Sequence, residues 1–130
     1  MTDRYWLTPP DIEDEIERIL GTRDWFDPCP YPLPDGWDAL NMTWSKPWYL
    51  NPPFRKQDGG GPTKFIRKAI AEKGPGVIIY PVTGATFELV KCGILSSMRP
   101  IGRVRWLECD TKDPYEGHPP GLCVLVYLSA

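Results

Sequence analysis

Two stretches of the chain place apolar residues at helical spacing. Those of the first are Ile12, Ile16, Ile19 and Leu20. Thr8-Pro-Pro-Asp11 precedes them and supplies an N-cap candidate, a first-turn proline and an early acid, so we predict a helix that ends at Gly21. The apolar positions of the second are Phe65, Ile66, Ala69 and Ile70. Its outer face is basic, and the pattern predicts a helix from near Thr63 to the stop at Gly74-Pro75-Gly76.

Short apolar runs between these stretches predict strands. Val77-Ile-Ile-Tyr80 is typical of a strand buried on both faces, and Pro81 ends it. Trp25-Phe26 and Trp48-Tyr-Leu50 are shorter runs that end at Asp27 and Asn51.

The C-terminal third has a weaker pattern. It predicts a third helix over Thr86 to Ser97, and then two strands, Arg103-Val-Arg-Trp-Leu107 and Leu122 to Leu128, joined by the polar loop 108–121. Together with the preceding elements this predicts an α/β fold: a mostly parallel sheet flanked by helices, with a C-terminal antiparallel β pair. A length of 130 residues suits one domain, 1–130, without a separate target-recognition domain.

The composition argues against a membrane protein, a secreted protein and a metal-binding protein. The longest apolar run, Leu122 to Leu128, is far too short to span a bilayer, and no secretory signal is visible at the N-terminus, so we expect a cytoplasmic protein without a membrane partner. The four cysteines form no Cys-x-x-Cys pair and His118 is the only histidine, so no metal site is expected. Reduced thiols fit a cytosolic location.

Charge is distributed unevenly along the chain. The net charge is −2, yet residues 1–38 hold ten acids and three arginines, whereas residues 55–73 hold six basic residues and two acids. The second stretch therefore offers a candidate surface for phosphates despite the acidic total. Its candidate nucleic-acid contacts are Arg55, Lys56, Lys64, Arg67 and Lys68.

The segment Asn51-Pro52-Pro53-Phe54 is the strongest candidate for chemistry. A residue before proline is pushed to extended geometry, and the two prolines offer no backbone N–H, so the segment is rigid and rich in acceptors. At the carboxyl end of a buried strand it would present the Asn51 side-chain oxygen beside the Pro52 carbonyl. Such a pair suits an amine with two N–H donors, such as the exocyclic amine of adenine. Phe54 would stack on a base flipped out of the duplex.

At these residues the sequence resembles the S-adenosylmethionine-dependent amino-methyltransferases, specifically the phage-type, Dam-like DNA N-6-adenine methyltransferases. The similar positions run over nearly the whole chain. They are Trp6-x-Thr8-Pro9, Phe26-Asp27-Pro28-Cys29, Asp38-x-Leu40-x-x-x-Trp44, Asn51-Pro52-Pro53-Phe54, Lys68-Ala69, Pro81 and Gly102 to Leu107. The resemblance implies a trimmed Rossmann-like fold, S-adenosylmethionine as cofactor, DNA as partner and a phage-encoded enzyme acting in a bacterial host cell.

The same resemblance assigns roles to individual residues. Asn51, Pro52, Pro53 and Phe54 would be catalytic. Trp6, Thr8 and Pro9 would lie against the methionine end of the cofactor. Asp27, followed by Pro28 and Cys29, matches the acid that closes the first strand, and Asp38 matches an acid near the adenosyl group.

One departure from the family pattern keeps other functions open. Such enzymes follow the first strand with a glycine-rich turn, but here the turn is proline-rich and the first glycine after Asp27 is Gly36. The alternatives are a methyltransferase fold that has lost catalysis and acts as a binding module, and a methyltransferase for N4 of cytosine. Glutamine amide methylation shares the motif, but the basic stretch favours DNA. With no separate recognition domain, we expect short or relaxed sequence specificity, and a homodimer is an open possibility.

Overall fold

The computed structural model describes residues 6–30, 33–52, 62–81, 91–102, 104, 107–108 and 123–130. Its elements in chain order are β1 (Trp6–Leu7), α1 (Pro10–Leu20), a 3₁₀ turn (Ala39–Asn41), β2 (Trp48–Leu50), α2 (Pro62–Glu72), β3 (Gly76–Pro81), β4 (Leu95–Gly102), β5 (Leu107–Glu108) and β6 (Cys123–Leu128). The fold is therefore of the mixed α/β type, as the sequence predicts.

A four-stranded mixed sheet with the order β2-β3-β6-β4 forms the centre of the structure. β2 and β3 are parallel, and β6 is antiparallel to both of its neighbours. Phe26 adds a parallel bridge to Trp48 at the outer side of β2. It follows that Phe26, β2, β3 and β4 run in one direction and β6 runs in the other. β1 and β5 form a separate antiparallel pair.

Each face of the sheet supports its own core because side chains alternate along a strand. Facing α2, the main buried residues are Trp44, Trp48, Leu50, Ile66, Ala69, Ile78, Tyr80, Val124, Val126 and Leu128. On the side of α1 they are Ile16, Tyr49, Val77, Ile79, Val104, Cys123 and Leu125. The sheet thus separates two apolar layers, each covered by one of these helices, and β3 is buried on both faces as predicted.

Both predicted helices are confirmed. α1 begins after Pro9 with Pro10 in its first turn, and Gly21 closes it in the left-handed conformation (φ 79°) with its N–H donating to the Glu17 carbonyl at 2.7 Å. In α2 the predicted apolar stripe packs on the sheet, with Ile66 and Ala69 fully buried. The strand predictions at β2 and β3 also hold, whereas the predicted strand Trp25-Phe26 is reduced to an isolated bridge at Phe26.

The C-terminal third differs from the prediction in two ways. Leu95 to Ser97 begin strand β4 instead of ending a helix, because β4 pairs with β6 and places Leu95 and Met98 against the core. The predicted strand Arg103–Leu107 is also wrong in its bounds and in its pairing partner. Leu107 belongs to β5 and pairs with Leu7, while β4 is the antiparallel partner of β6. Residues 86–90 and most of the loop 108–121 lie outside the described residues.

Candidate functional site

Asp27 and Asn51 come at the same edge of the sheet. Phe26 and Trp48 are parallel partners, and the Tyr49 N–H donates to the Phe26 carbonyl at 2.9 Å. Asp27 therefore lies level with Tyr49, and Asn51 lies two residues further along. Standard strand spacing and rise put the Cα atoms of Asp27 and Asn51 roughly 8 Å apart. The carboxyl ends of neighbouring parallel strands are where open α/β sheets bind ligands.

Alternation assigns these side chains to the α1 face. Trp25 and Tyr49 pack together there, edge to face, with ring centroids 5.8 Å apart, whereas Phe26 packs on the α2 side. Asp27 is two residues after Trp25, and Asn51 is two residues after Tyr49. Both therefore continue the α1 face, and we call Thr8, Asp27, Tyr49 and Asn51 the strand-end site.

Tyr49 joins the N-terminal segment to this edge. Its hydroxyl lies 2.7 Å from Thr8 Oγ1, and the ring is almost completely buried. Burial raises the pKa of the Tyr49 phenol far above its usual value, and the nearby charges of Asp27 and Glu13 raise it further, so the hydroxyl stays neutral. Tyr49 is thus a positioning residue that holds Thr8, and with it the start of α1, against β2.

Asp27 presents a carboxylate at the edge of the site. Its Oδ1 accepts the Cys29 N–H at 2.9 Å, an interaction that lowers the pKa of Asp27. Desolvation by surrounding atoms is the larger influence and raises that pKa, although the residue keeps contact with solvent. Burial and the charge of Asp27 also raise the pKa of the Cys29 thiol, and Cys29 packs against the core on the α2 side.

Trp37 anchors the proline-rich loop that follows Asp27. Its ring stacks on Phe26 with centroids 5.7 Å apart, and its indole N–H donates to the Pro28 carbonyl at 2.8 Å. Pro28 is buried beneath this contact. These contacts fold the loop back onto the segment that carries Asp27. The conformation after Asp27 is thus held by Trp37, whereas a glycine-rich turn would depend on backbone freedom.

Asp38, the other predicted cofactor acid, follows directly after Trp37. Its exposed carboxylate accepts a hydrogen bond from the Asn41 amide at 2.7 Å, and its carbonyl accepts the Asn41 N–H at 3.1 Å. Asp38 therefore closes the 3₁₀ turn, while Trp37 ties the adjacent backbone to the loop beside Asp27.

The remaining predicted residues of this edge are only partly described. Asn51 is half-buried, Pro52 is buried, and Pro9 is buried as the residue that caps α1. Pro53, Phe54, Arg55 and Lys56 lie outside the described residues, and so does the side chain of Trp6, whose backbone belongs to β1.

The described part of the basic stretch divides into two kinds of side chain. Lys64 and Arg67 are exposed on α2. Lys68 instead forms an ion pair with Glu72 at 2.7 Å, which is the main cause of the lowered pKa of Glu72. Glu72 also accepts the Trp44 N–H at 3.0 Å, so Lys68 serves the packing of α2 and is a weaker candidate for DNA than the sequence suggests.

Sequence reasoning missed Tyr49 and Trp37. The strand pattern Trp48-Tyr-Leu50 contains the signal for Tyr49, since alternation places it opposite its two neighbours and on the face of Asn51. Trp37 has no such signal, because its partners Phe26 and Pro28 are contacts of a loop without periodicity.

Within the described residues, no group of three or more His, Cys, Asp or Glu is placed to hold a metal ion, and no helix is long and apolar enough to cross a membrane. No protein-family model, curated protein or solved structure matches the chain. The strand-end site places Asn51-Pro52 at the end of β2, one strand away from the Asp27 carboxylate.

The Tyr49–Thr8 contact gives a first prediction. Tyr49→Phe and Thr8→Val are each expected to lower the free energy of unfolding by about 1 kcal/mol, since each removes one side of a part-buried hydrogen bond. In a double-mutant cycle measured by urea denaturation the two losses should not add, because the second change removes a bond already lost. Additive losses would show that the two hydroxyls do not interact.

Proposed function

We propose that this chain is an S-adenosylmethionine-dependent methyltransferase that acts on N6 of adenine in DNA, with short or relaxed sequence specificity. The observation that carries this function is the position of Asn51-Pro52 at the carboxyl end of β2, on the same face as Asp27 and one strand away from it. An acceptor pair for an amine and an acid for a cofactor are thus held at one edge.

The side chains at this edge offer hydrogen-bonding groups that suit S-adenosylmethionine. Within the described chain Asp27 uses one carboxylate oxygen for the Cys29 N–H, which leaves the other to accept hydroxyls of a ribose. Thr8 is held against β2 by its hydrogen bond to Tyr49, and Thr8 and Pro9 would border the methionine end of the ligand. Bound S-adenosylmethionine supplies an electrophilic methyl group.

The chain's own contribution to methyl transfer is orientation. Asn51 Oδ1 and the Pro52 carbonyl accept the two N–H donors of the adenine amine, which localises the nitrogen lone pair and directs it toward the methyl group. The prolines restrict the backbone that carries both acceptors before the base arrives, so less backbone ordering is needed on binding. Phe54 would stack on the flipped base. The bond from nitrogen to the methyl group would form as the methyl–sulfur bond breaks, and the surplus N–H proton would then pass to water, so no strong base is required before attack.

The sheet directions support the finer fold assignment of a trimmed Rossmann-like methyltransferase domain. Phe26, β2, β3 and β4 share one direction, and only β6 is reversed among the described strands of this sheet. A crevice at their common carboxyl edge is the place where such sheets bind nucleotides and related ligands.

The outer face of α2 supports DNA as the partner. Lys64 and Arg67 are exposed and three residues apart, which places them on one side of the helix. α2 follows Asn51-Pro52 in the chain but packs on the other face of the sheet from the strand-end site, so these cations would contact phosphates at a distance from the flipped base. Their contacts would position DNA without reading its sequence.

The direct test is transfer of labelled methyl from S-adenosylmethionine to unmodified DNA, followed by nucleoside analysis. We expect the label in N6-methyladenine. Label in N4-methylcytosine would reject adenine as the substrate. Cofactor and DNA binding without transfer would favour the catalytically inactive binding module, for which the proline-rich loop held by Trp37 is the specific structural argument.

Asp27→Asn tests the cofactor role by separating affinity from stability. The affinity for S-adenosylmethionine should fall about tenfold or more, because a hydrogen bond to a charged acceptor becomes one to a neutral acceptor. The raised pKa of Asp27 means that the folded state binds this proton more tightly than the unfolded state. Its contribution to stability is therefore present below the usual Asp pKa and is lost as the pH rises through the raised pKa.

Asp27→Asn should accordingly melt no lower than the unmodified protein at neutral pH, and the two melting curves should converge at acidic pH. Exposed Asp24→Asn is the matched control and should leave cofactor affinity unchanged. Equal cofactor affinity in all three proteins, measured by calorimetry, would remove Asp27 from the site.

A further inference from the structure

A second candidate site lies away from the strand ends. A shallow pocket of about 330 Å³ opens between α2 and the turn that precedes β4. It is lined by Arg67, Ile70, Lys91 and Cys92. Two cations from distant parts of the chain therefore meet over one concave surface.

The surrounding charges favour an anion in this pocket. Glu72, the acid at the end of α2, is already held by Lys68 and the Trp44 N–H, so its charge is largely compensated. Lys64 lies one turn before Arg67 and extends the positive surface toward the start of α2. In a chain with net charge −2, such a local concentration of cations marks where a polyanion can approach.

The dimensions fit the backbone of a nucleic acid. α2 has 11 residues and is therefore about 16 Å long, which is the axial rise of roughly five nucleotides of a DNA strand. An extended polyanion could therefore contact Lys64 as well as the pocket, whereas a single small anion would need only the pocket.

We propose that the pocket formed by Arg67, Ile70, Lys91 and Cys92 binds a backbone phosphate of DNA and extends the DNA contact along α2, away from the strand-end site. This assignment rests on the proposed function for the identity of the polyanion. It adds Lys91 as a contact that the sequence pattern does not reveal, because Lys91 is an isolated cation remote from the basic stretch.

Lys91→Gln tests the pocket, with Arg18→Gln as the matched control. Lys91 is exposed in a turn, and Arg18 is exposed on α1, on the opposite side of the sheet. Binding of a short fluorescent DNA duplex is followed by anisotropy over a range of salt concentrations. Lys91→Gln should reduce the salt slope by about one unit and weaken binding roughly tenfold at 0.1 M salt, while Arg18→Gln changes neither. Equal binding and slope in the two variants would overturn the assignment.

Cys92 provides an independent reporter inside the pocket. Alkylation of Cys92, followed by mass spectrometry, should slow when the DNA duplex is added and should not slow with inorganic phosphate at the same phosphate concentration. Unchanged alkylation at saturating DNA, or equal protection by inorganic phosphate, would contradict a DNA backbone site.

The experiments can reject the phosphate pocket and the proposed methyl transfer independently of each other. DNA binding and methyl transfer are therefore measured separately in Lys91→Gln and in the unmodified protein. Binding that depends on Lys91 without any methyl transfer would reject the reaction and keep the pocket. Methyl transfer together with a DNA affinity that does not depend on Lys91 would reject the pocket and keep the reaction.

Discussion

Replacing Asn51 with alanine is expected to abolish methyl transfer to DNA, with a fall in kcat of at least about 100-fold. The physical reason is that one of the two acceptors that orient the amine is lost, and removal of a single preorganised polar group from a reacting centre costs this order of magnitude. Asn51 is only half-buried and lies beyond the last residue of β2. Pro52 keeps residue 51 extended in the variant as well.

The measurement is single-turnover transfer of labelled methyl at saturating cofactor and DNA. Asn41→Ala is the matched control, because Asn41 is an exposed asparagine whose amide serves the 3₁₀ turn at Asp38. It should keep the kcat of the unmodified protein. Near-normal kcat in Asn51→Ala, with both variants folded, would show that the reaction does not use this amide.

Gly76→Ala is expected to lower the free energy of unfolding by about 3 kcal/mol, with a melting temperature about 10 °C lower. A Cβ atom at residue 76 would overlap the indole of Trp48, which is the paired residue on β2. That indole has no free space to move into. It is fully buried, donates to the Lys73 carbonyl at 2.9 Å and packs edge to face on Trp44 with centroids 5.3 Å apart.

Gly36→Ala is the comparison that separates crowding from backbone strain. A Cβ at Gly36 meets open space, but its φ of +74° is unfavourable for alanine, so a loss of about 1 kcal/mol is expected. Thermal and urea unfolding of the two variants measure the difference. A loss in Gly76→Ala no larger than in Gly36→Ala would mean that the Trp48 side chain relocates at low cost.

The two helices show how much of the structure the local sequence pattern can predict. The Pro-Pro start, the apolar spacing and Gly21 are all properties of residues close together in the chain, and they suffice to place α1 within about two residues of its bounds. β4 shows the limit. Ile94, Leu95 and Met98 have spacing that also suits a helix, and only pairing with β6, nearly 30 residues later, decides for a strand.

The candidate site divides in the same way. The sequence by itself determined the stiffness of Asn51-Pro52, its place after an apolar strand and the acid at Asp27, because proline geometry and side-chain chemistry are local. Only the tertiary structure decided that Asp27 lies beside Tyr49, that Tyr49 holds Thr8, that Trp37 closes the loop and that Lys91 meets Arg67. These contacts join residues up to dozens of positions apart, and their energy depends on burial and pairing in three dimensions, which no short stretch of sequence encodes.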